Sequence, residues 1–210
     1  MYNILCFGDS NTFGTNPAGG RWPWEQRWTG LLQNELGSSY RIIEDGCGGR
    51  TTGLDDPIEG DRNGLRHLGV SLHSHRPLDL VILMLGTNDM KHRFSLLPID
   101  IAHSAARLGE LVQSYPYGPA YPVPKVLLVS PILLGQGVSH SIYTGFTEDG
   151  VEVSRQLAPL YEEQARLHGW QYLDAARYAG PSEQDHLHME QADHAALARA
   201  MAEAVREALK

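Results

Sequence analysis

Residues 4–11 read Ile-Leu-Cys-Phe-Gly-Asp-Ser-Asn, an apolar run that ends directly in a polar turn. Four consecutive apolar residues near the start of the chain predict a buried strand. Residues 8–11 lie where that strand ends, and open α/β sheets place their chemistry at the carboxyl ends of strands. A Ser or Asp in this position also fits an ordinary N-cap for a following helix. The stretch predicts an α/β fold and makes Ser10 a candidate functional residue.

Further strand-like runs alternate with stretches of helical periodicity along the chain. The predicted strands span residues 2–7, 40–44, 78–85, 125–130 and 171–173. The predicted helices span residues 25–36, 65–75, 99–113, 152–168 and 190–209. Residues 80–85, Leu-Val-Ile-Leu-Met-Leu, lack polar alternation, which suits a strand covered on both faces. The pattern predicts a parallel sheet between two helical layers, a three-layer α/β/α sandwich.

Segments rich in Gly and Pro interrupt this alternation, and we interpret them as loops. They span residues 11–24, 53–64, 115–124 and 132–145. The last of them follows a strand end, where a loop can overhang a site. With 210 residues, 42% of them hydrophobic, the chain suits one well-buried domain spanning residues 1–210.

The charge of the chain argues against two classes of partner. The formal charge is −8 and the 17 Lys and Arg residues are scattered, so we expect neither nucleic acid nor an anionic membrane as a partner. The apolar run at residues 81–85 is far shorter than the roughly 20 residues that a membrane span needs. No basic and then apolar leader precedes the first strand, so we expect no signal peptide and a cytoplasmic location.

Three other polar segments accompany the turn at Ser10. Residues 46–49 (Gly-Cys-Gly-Gly) and 86–89 (Gly-Thr-Asn-Asp) each follow a strand-like run, and residues 185–188 (Asp-His-Leu-His) precede the last predicted helix. A serine-type acyl-transfer site needs a nucleophile, a base, a carboxylate that orients the base, and donors aimed at the developing oxyanion. Each of these roles has a candidate among the four segments.

Three candidate oxyanion donors follow three different strands. Ser10, the candidate nucleophile, offers its own N–H at a strand-to-helix transition. Gly49 offers a backbone N–H with no side chain to obstruct a substrate, although it also fits an ordinary turn glycine. Asn88 offers a side-chain amide, although Asn88 and Asp89 together also fit a turn and an N-cap.

His188 is the candidate base and Asp185 its orienting carboxylate. Two residues separate them, so a tight loop can bring the carboxylate to Nδ1 while Nε2 faces Ser10. The same spacing also fits a solvated loop before a helix. His186 is the rival base, but its position next to Asp185 makes the orienting contact harder, and we assign it to the surface or the pocket wall.

We assign three further residues to substrate binding, namely Asn11, Trp22 and Trp28. Asn11 directly follows the candidate nucleophile, and the tryptophans come soon after it, where they can shape an apolar pocket. A tryptophan at helical spacing also fits a core position.

The four polar segments, in this order, resemble blocks I, II, III and V of the SGNH (GDSL-type) hydrolase superfamily. The superfamily is named after a Ser, a Gly, an Asn and a His of its active site. The resemblance assigns these four positions to Ser10, Gly49, Asn88 and His188, with Asp185 completing the triad. It implies a flavodoxin-like sheet of five parallel strands in the order 2-1-3-4-5. It also implies a metal-independent esterase, for which we expect no cofactor.

Other stretches resemble the aryl esterase/acyltransferase branch of that superfamily. They are residues 27–30 (Arg-Trp-Thr-Gly), 50–52 (Arg-Thr-Thr), 55–57 (Asp-Asp-Pro) and 78–81 (Leu-Asp-Leu-Val). Members of the branch tend to form oligomers, so we expect a homo-oligomer. The chain departs from the pattern at Asn11, where many members carry Leu or Ile, and at Glu44, where block II usually has Asn.

The sequence therefore predicts a serine esterase/acyltransferase that acts on a small-molecule ester. The expected substrates are short-chain, acetyl-like esters of aryl, alkyl or sugar alcohols, with a carbohydrate acetyl esterase and a small-lipid acylhydrolase as alternatives. A metallohydrolase is a rival interpretation, with Asp185, His186, His188, Asp193 and His194 as ligands. A catalytically silent binding module with the same fold is another, since fold does not give function.

Overall fold

Five parallel strands form one sheet at the centre of the structure, a computed structural model that describes residues 1–210. The strands lie in the order β2-β1-β3-β4-β5, and each neighbouring pair is parallel. Their bounds are β1 Tyr2–Gly8, β2 Tyr40–Gly46, β3 Leu80–Met84, β4 Lys125–Ser130 and β5 Gln171–Asp174. The predicted fold class and strand order are confirmed.

Helices cover both faces of this sheet. Their bounds are α1 Ser10–Phe13, α2 Trp28–Leu36, α3 Gly64–His75, α4 Pro98–Ser114, α5 Glu148–His168 and α6 Gln191–Ala208. Alternate side chains of β1 enter two cores: Leu5 and Phe7 pack with α3, α4 and α5, whereas Ile4 and Cys6 pack with α2 and α6. All of β3 is buried, as its unbroken apolar run predicts. None of the helices combines the length and the apolar character needed to cross a membrane.

Three helices differ from the prediction by more than one residue at their start. The helix α1, residues 10–13, overlaps the start of the predicted loop 11–24, because its four residues are too few to show periodicity. The helix α2 begins at Trp28 and not at residue 25, because a separate 3₁₀ turn, Trp24–Gln26, precedes it and Arg27 between them is extended. The helix α5 begins at Glu148, four residues before the predicted start at residue 152. Gly150 lies in its first turn, and a glycine there makes the sequence look unlike a helix.

The polar turns after β1, β2 and β3 begin at one level of the sheet. Gly8, at the end of β1, is in register with Gly46 of β2 and with Met84 of β3. The chain segments that carry Ser10, Gly49 and Asn88 therefore leave the same edge of the sheet, as expected of parallel strands.

Candidate active site

Ser10 is the first residue of α1, which begins just after β1 ends at Gly8. The Asp9 carboxylate caps this helix by accepting a hydrogen bond from the Asn11 N–H at 3.0 Å. A side chain on Gly8 would overlap Thr12, so the tight return of α1 over the strand end requires glycine there. The turn presents Ser10 to a cavity of about 560 Å³.

A chain of hydrogen bonds runs from Asp185 through His188 to Ser10. His188 Nε2 lies 2.9 Å from Ser10 Oγ, and His188 Nδ1 lies 2.6 Å from Asp185 Oδ2. Because a carboxylate only accepts, Nδ1 of the neutral ring carries the proton and Nε2 accepts from the serine hydroxyl. Only 7% of Ser10, 1% of His188 and 3% of Asp185 is exposed. The structure therefore brings together the three residues that the sequence assigned to one triad.

The Asp185 carboxylate is oriented by its own loop. Its Oδ1 accepts hydrogen bonds from the N–H groups of Leu187 at 3.0 Å and His188 at 2.9 Å. Burial raises the pKa of Asp185, but the hydrogen bonds from the His188 side chain, the His188 N–H and the Leu187 N–H outweigh it, and the net pKa lies below the usual value. Asp185 is therefore ionised at neutral pH and can hold the imidazole in one orientation.

Gly49 and Asn88 line the same cavity as Ser10. Gly49 has a φ of +79°, and a side chain there would overlap the Glu59 carboxylate, so glycine is required. The Gly49 N–H has no hydrogen-bond partner within the chain. Asn88 Nδ2 donates to the Arg50 carbonyl at 3.1 Å, which uses one of its two N–H groups. A backbone donor and a side-chain donor thus remain at the cavity wall.

Asp89 joins the turn after β2 to the turn after β3, a role that the sequence reasoning missed. Its carboxylate accepts hydrogen bonds from the Thr52 N–H at 3.0 and 3.1 Å and from the Thr52 hydroxyl. Burial raises the pKa of Asp89 to about 6, although the hydrogen bonds from Thr52 act in the opposite direction. Thr52 and Asp89 are 37 positions apart, so no local sequence pattern predicts the contact between them.

Four charged side chains, Asp56, Glu59, Lys91 and Arg93, brace one wall of the cavity. Lys91 Nζ lies 2.5 Å from Glu59 Oε1, and the Arg93 guanidinium lies 2.8 Å from Asp56 Oδ2 and 2.9 Å from Glu59 Oε1. Burial raises the pKa of Asp56, but hydrogen bonds from the N–H groups of Ile58 and Glu59 and from Arg93 hold it at about 2. Two positive and two negative charges therefore fix the loop after β2 against the segment after β3.

The loop between β4 and α5 supplies the aromatic part of the cavity wall, through Tyr143 and Phe146. The Tyr143 ring packs against the His188 imidazole, with centroids 4.6 Å apart and planes at 75°. Burial and the nearby Asp185 carboxylate raise the pKa of Tyr143, which keeps its hydroxyl neutral. The expectation that this loop overhangs the site agrees with the structure.

None of the three residues that the sequence assigns to substrate binding lines this cavity. Trp28 is fully buried in the core between the sheet, α2 and α6. The Trp22 indole donates to the Met189 carbonyl at 3.2 Å. Asn11 is buried, and its amide is bonded to the backbone of Leu187 and Met189. Asn11 and Trp22 hydrogen-bond to the backbone next to His188, and none of the three side chains lines the space inside the cavity.

The residues of the rival metal site are engaged in separate contacts. His194 Nδ1 accepts from the Trp28 N–H at 3.2 Å, and Asp193 Oδ1 accepts from the Gly180 N–H at 2.9 Å. His186 packs against the loop after β4 and does not line the cavity. No group of three or more His, Cys, Asp and Glu side chains lies together in a way that could hold a metal ion.

Comparison with known proteins gives one family and a consistent set of structures. The sequence model of the GDSL-like lipase/acylhydrolase family matches residues 6–205. The aryl esterase of M. smegmatis is 37% identical, with a TM-score of 0.92 over 100% of both chains. Est24, a carbohydrate acetylesterase from Sinorhizobium meliloti, is 37% identical, with a TM-score of 0.91 over 99% of both chains. A carbohydrate acetylesterase family member from Sinorhizobium meliloti is 35% identical, with a TM-score of 0.92 over 100% of this chain and 99% of that chain. No curated protein sequence matches the chain.

Proposed function

This chain belongs to the GDSL-like lipase/acylhydrolase family and is a carboxylic ester hydrolase, and from that premise we propose that it works through an acyl-enzyme on Ser10. The observation that carries the proposal is the buried hydrogen-bonded chain from Asp185 through His188 to Ser10. A serine hydroxyl is a weak nucleophile, and an oriented imidazole at hydrogen-bond distance is what activates it.

In this mechanism His188 Nε2 takes the hydroxyl proton as Ser10 Oγ attacks the ester carbonyl carbon. The resulting imidazolium faces the ionised Asp185 carboxylate, which stabilises it. His188 then gives the proton to the departing alcohol as the tetrahedral intermediate collapses to the acyl-enzyme. A water molecule then attacks the acyl-enzyme and gives a proton to His188. As the acyl–oxygen bond breaks, His188 returns that proton to Ser10 Oγ and the carboxylic acid departs.

The developing oxyanion has three candidate donors, which are the N–H groups of Ser10 and Gly49 and the Asn88 amide. The unpaired N–H of Gly49 and the remaining N–H of Asn88 support this assignment. Donors that are already fixed need no reorganisation when charge develops, and this is why such sites contribute strongly to catalysis.

We propose short, acetyl-like acyl esters of aryl, alkyl or sugar alcohols as the substrate class. The similarity to an aryl esterase and to carbohydrate acetylesterases supports this class. Polar side chains of Thr15, Glu59, Arg62 and Thr144 line the cavity and favour an alcohol that carries hydroxyl groups, such as an acetylated sugar. Transfer of the acyl group to an alcohol in place of water is part of the same proposal, whereas a small lipid is the alternative substrate.

A homo-oligomer is also part of the proposal. Ile58 and Ile142 line the cavity, yet 74% and 79% of their surfaces are exposed. Exposed apolar side chains grouped at one place on a surface favour contact with another protein surface.

The test is hydrolysis of p-nitrophenyl acetate, longer p-nitrophenyl esters and an acetylated sugar, by the wild type and by Ser10→Ala, with a chelator present throughout. We expect activity that falls with acyl length, that tolerates the chelator and that Ser10→Ala abolishes. Activity that survives Ser10→Ala, or that the chelator removes, would contradict the proposed mechanism.

A further inference from the structure

We propose that Asn11 is a positioning residue that clasps the His188 loop to the helix carrying Ser10, and so sets the distance between base and nucleophile. This inference rests on the proposed function, since it concerns the same pair of reacting groups. It replaces the role in substrate binding that the sequence suggested for Asn11.

The Asn11 amide grips the backbone on both sides of His188. Its Nδ2 donates to the Leu187 carbonyl at 3.3 Å, and its Oδ1 accepts from the Met189 N–H at 3.2 Å. The two partners fix which end of the amide is which, because one is an acceptor and the other a donor. The contact therefore specifies one orientation of the side chain.

The backbone groups that Asn11 binds have no other partner in the chain. The Leu187 carbonyl and the Met189 N–H make no further hydrogen bond. Both residues are buried, with 3% of Leu187 and none of Met189 exposed. Buried backbone groups left unpaired are strongly unfavourable, so loss of the amide would drive this stretch to move until water reaches it.

The clasp acts on the distance between Ser10 and His188 more than on the orientation of the imidazole. Asp185 and His188 belong to the same loop and are joined by two hydrogen bonds, and the Leu187 N–H between them also donates to Asp185. Asn11, in contrast, belongs to α1 and directly follows Ser10. Loss of the clasp should therefore displace the Asp185–His188 pair as a unit from Ser10.

Gln33 offers a matched control at the opposite end of the sheet. Its amide also binds two backbone groups that are two residues apart: Nε2 donates to the Tyr40 carbonyl at 3.0 Å, and Oε1 accepts from the Ile42 N–H at 2.9 Å. Tyr40 and Ile42 begin β2, far from the edge that carries Ser10. Gln33→Leu therefore removes the same kind of contact, together with a hydrogen bond to the Gly37 carbonyl at 3.1 Å, without touching the site.

The experiment compares Asn11→Leu and Gln33→Leu with the wild type at a temperature where all three are folded. We expect Asn11→Leu to lower kcat for p-nitrophenyl acetate by about 10- to 100-fold, with KM within about twofold, because a displacement of about 1 Å has an effect of that size. The rate of Ser10 labelling by a fluorophosphonate should fall in parallel, and the pH dependence of kcat/KM should keep its shape. Gln33→Leu should lower only the unfolding temperature.

Equal kcat and labelling rates in Asn11→Leu and Gln33→Leu would overturn the inference. If Asn11→Leu does not fold, amide hydrogen exchange on the wild type tests the inference. A Met189 N–H that is bonded to Asn11 exchanges slowly, whereas rapid exchange would show that the clasp is absent. The inference and the proposed function fail separately, since activity in Ser10→Ala refutes the serine mechanism whatever Asn11→Leu does.

Discussion

The Asp89 carboxylate accepts hydrogen bonds from both the N–H and the hydroxyl of Thr52, which lies three residues after Gly49. Asp89 itself follows Asn88 directly. The two proposed oxyanion donors that lie outside α1 are therefore held together by one buried carboxylate. The charge of the buried Asp89 carboxylate and the shape of the site therefore depend on the same contact with Thr52.

The raised pKa of Asp89 predicts a stability effect with a definite sign. The pKa of Asp89 is about 6 in the folded state against an ordinary 3.8, so the folded state binds the proton more tightly than the unfolded chain does. The resulting stabilisation is complete below about pH 4 and is lost as the pH rises through about 6. Asp89→Asn cannot ionise. We expect it to gain up to about 3 kcal/mol relative to the wild type across this interval, at about 1.4 kcal/mol per pKa unit. Urea unfolding at several pH values measures the difference, and a constant difference would contradict it.

The buried His194 predicts the opposite slope. Burial, with Arg27 and His188 adding to it, lowers the pKa of His194 to about 4 from an ordinary 6.5. The neutral His194 ring accepts a hydrogen bond from the Trp28 N–H at the start of α2. The stabilisation from the neutral ring is present above about pH 6.5 and is lost as the pH falls towards 4. His194→Asn keeps an acceptor but does not titrate in this range. We expect its free energy of unfolding to vary less over this interval than that of the wild type, and an unchanged slope would refute the assignment.

Removal of the Asn88 side chain tests the oxyanion assignment. We expect Asn88→Ala to lower kcat about 100- to 1,000-fold with little change in KM, because a donor that acts mainly on the transition state contributes that much. Steady-state kinetics with p-nitrophenyl acetate gives both constants. A rise in KM at constant kcat would instead assign Asn88 to ground-state binding.

The packing of Tyr143 against His188 predicts a difference between two substitutions. Tyr143→Phe keeps the ring and should leave kcat/KM within about twofold, whereas Tyr143→Leu should lower it by about 2- to 10-fold, in line with about 0.5–1.5 kcal/mol for an aromatic pair. Equal loss in both variants would show that the hydroxyl, and not the ring, is the important group.

The sequence predicted the sheet well because the relevant signals are local. Unbroken apolar runs marked β1 and β3, and the polar turns after β1, β2 and β3 carried Ser10, Gly49 and Asn88 to one edge. Parallel strands make that convergence a consequence of topology. The short helix α1 escaped prediction because four residues show no period.

The contacts around the site were not predictable, because their partners lie far apart in sequence. The Asn11 amide meets residues 176 and 178 positions away, and nothing near Asn11 distinguishes a clasp from a pocket wall. Trp28 is close to Ser10 along the chain, which favours a place in the pocket, yet its helix directs the side chain into the core opposite α6. Sequence separation was a poor guide to distance in both cases.

Covalent labelling decides whether Ser10 is the nucleophile. The purified protein would be treated with a fluorophosphonate and analysed by mass spectrometry of the intact chain and of its peptides. We expect one phosphonyl group per chain, carried by Ser10, with loss of esterase activity in proportion and much slower labelling in His188→Ala. Labelling at another residue with loss of activity, or full esterase activity in a chain labelled on Ser10, would contradict it.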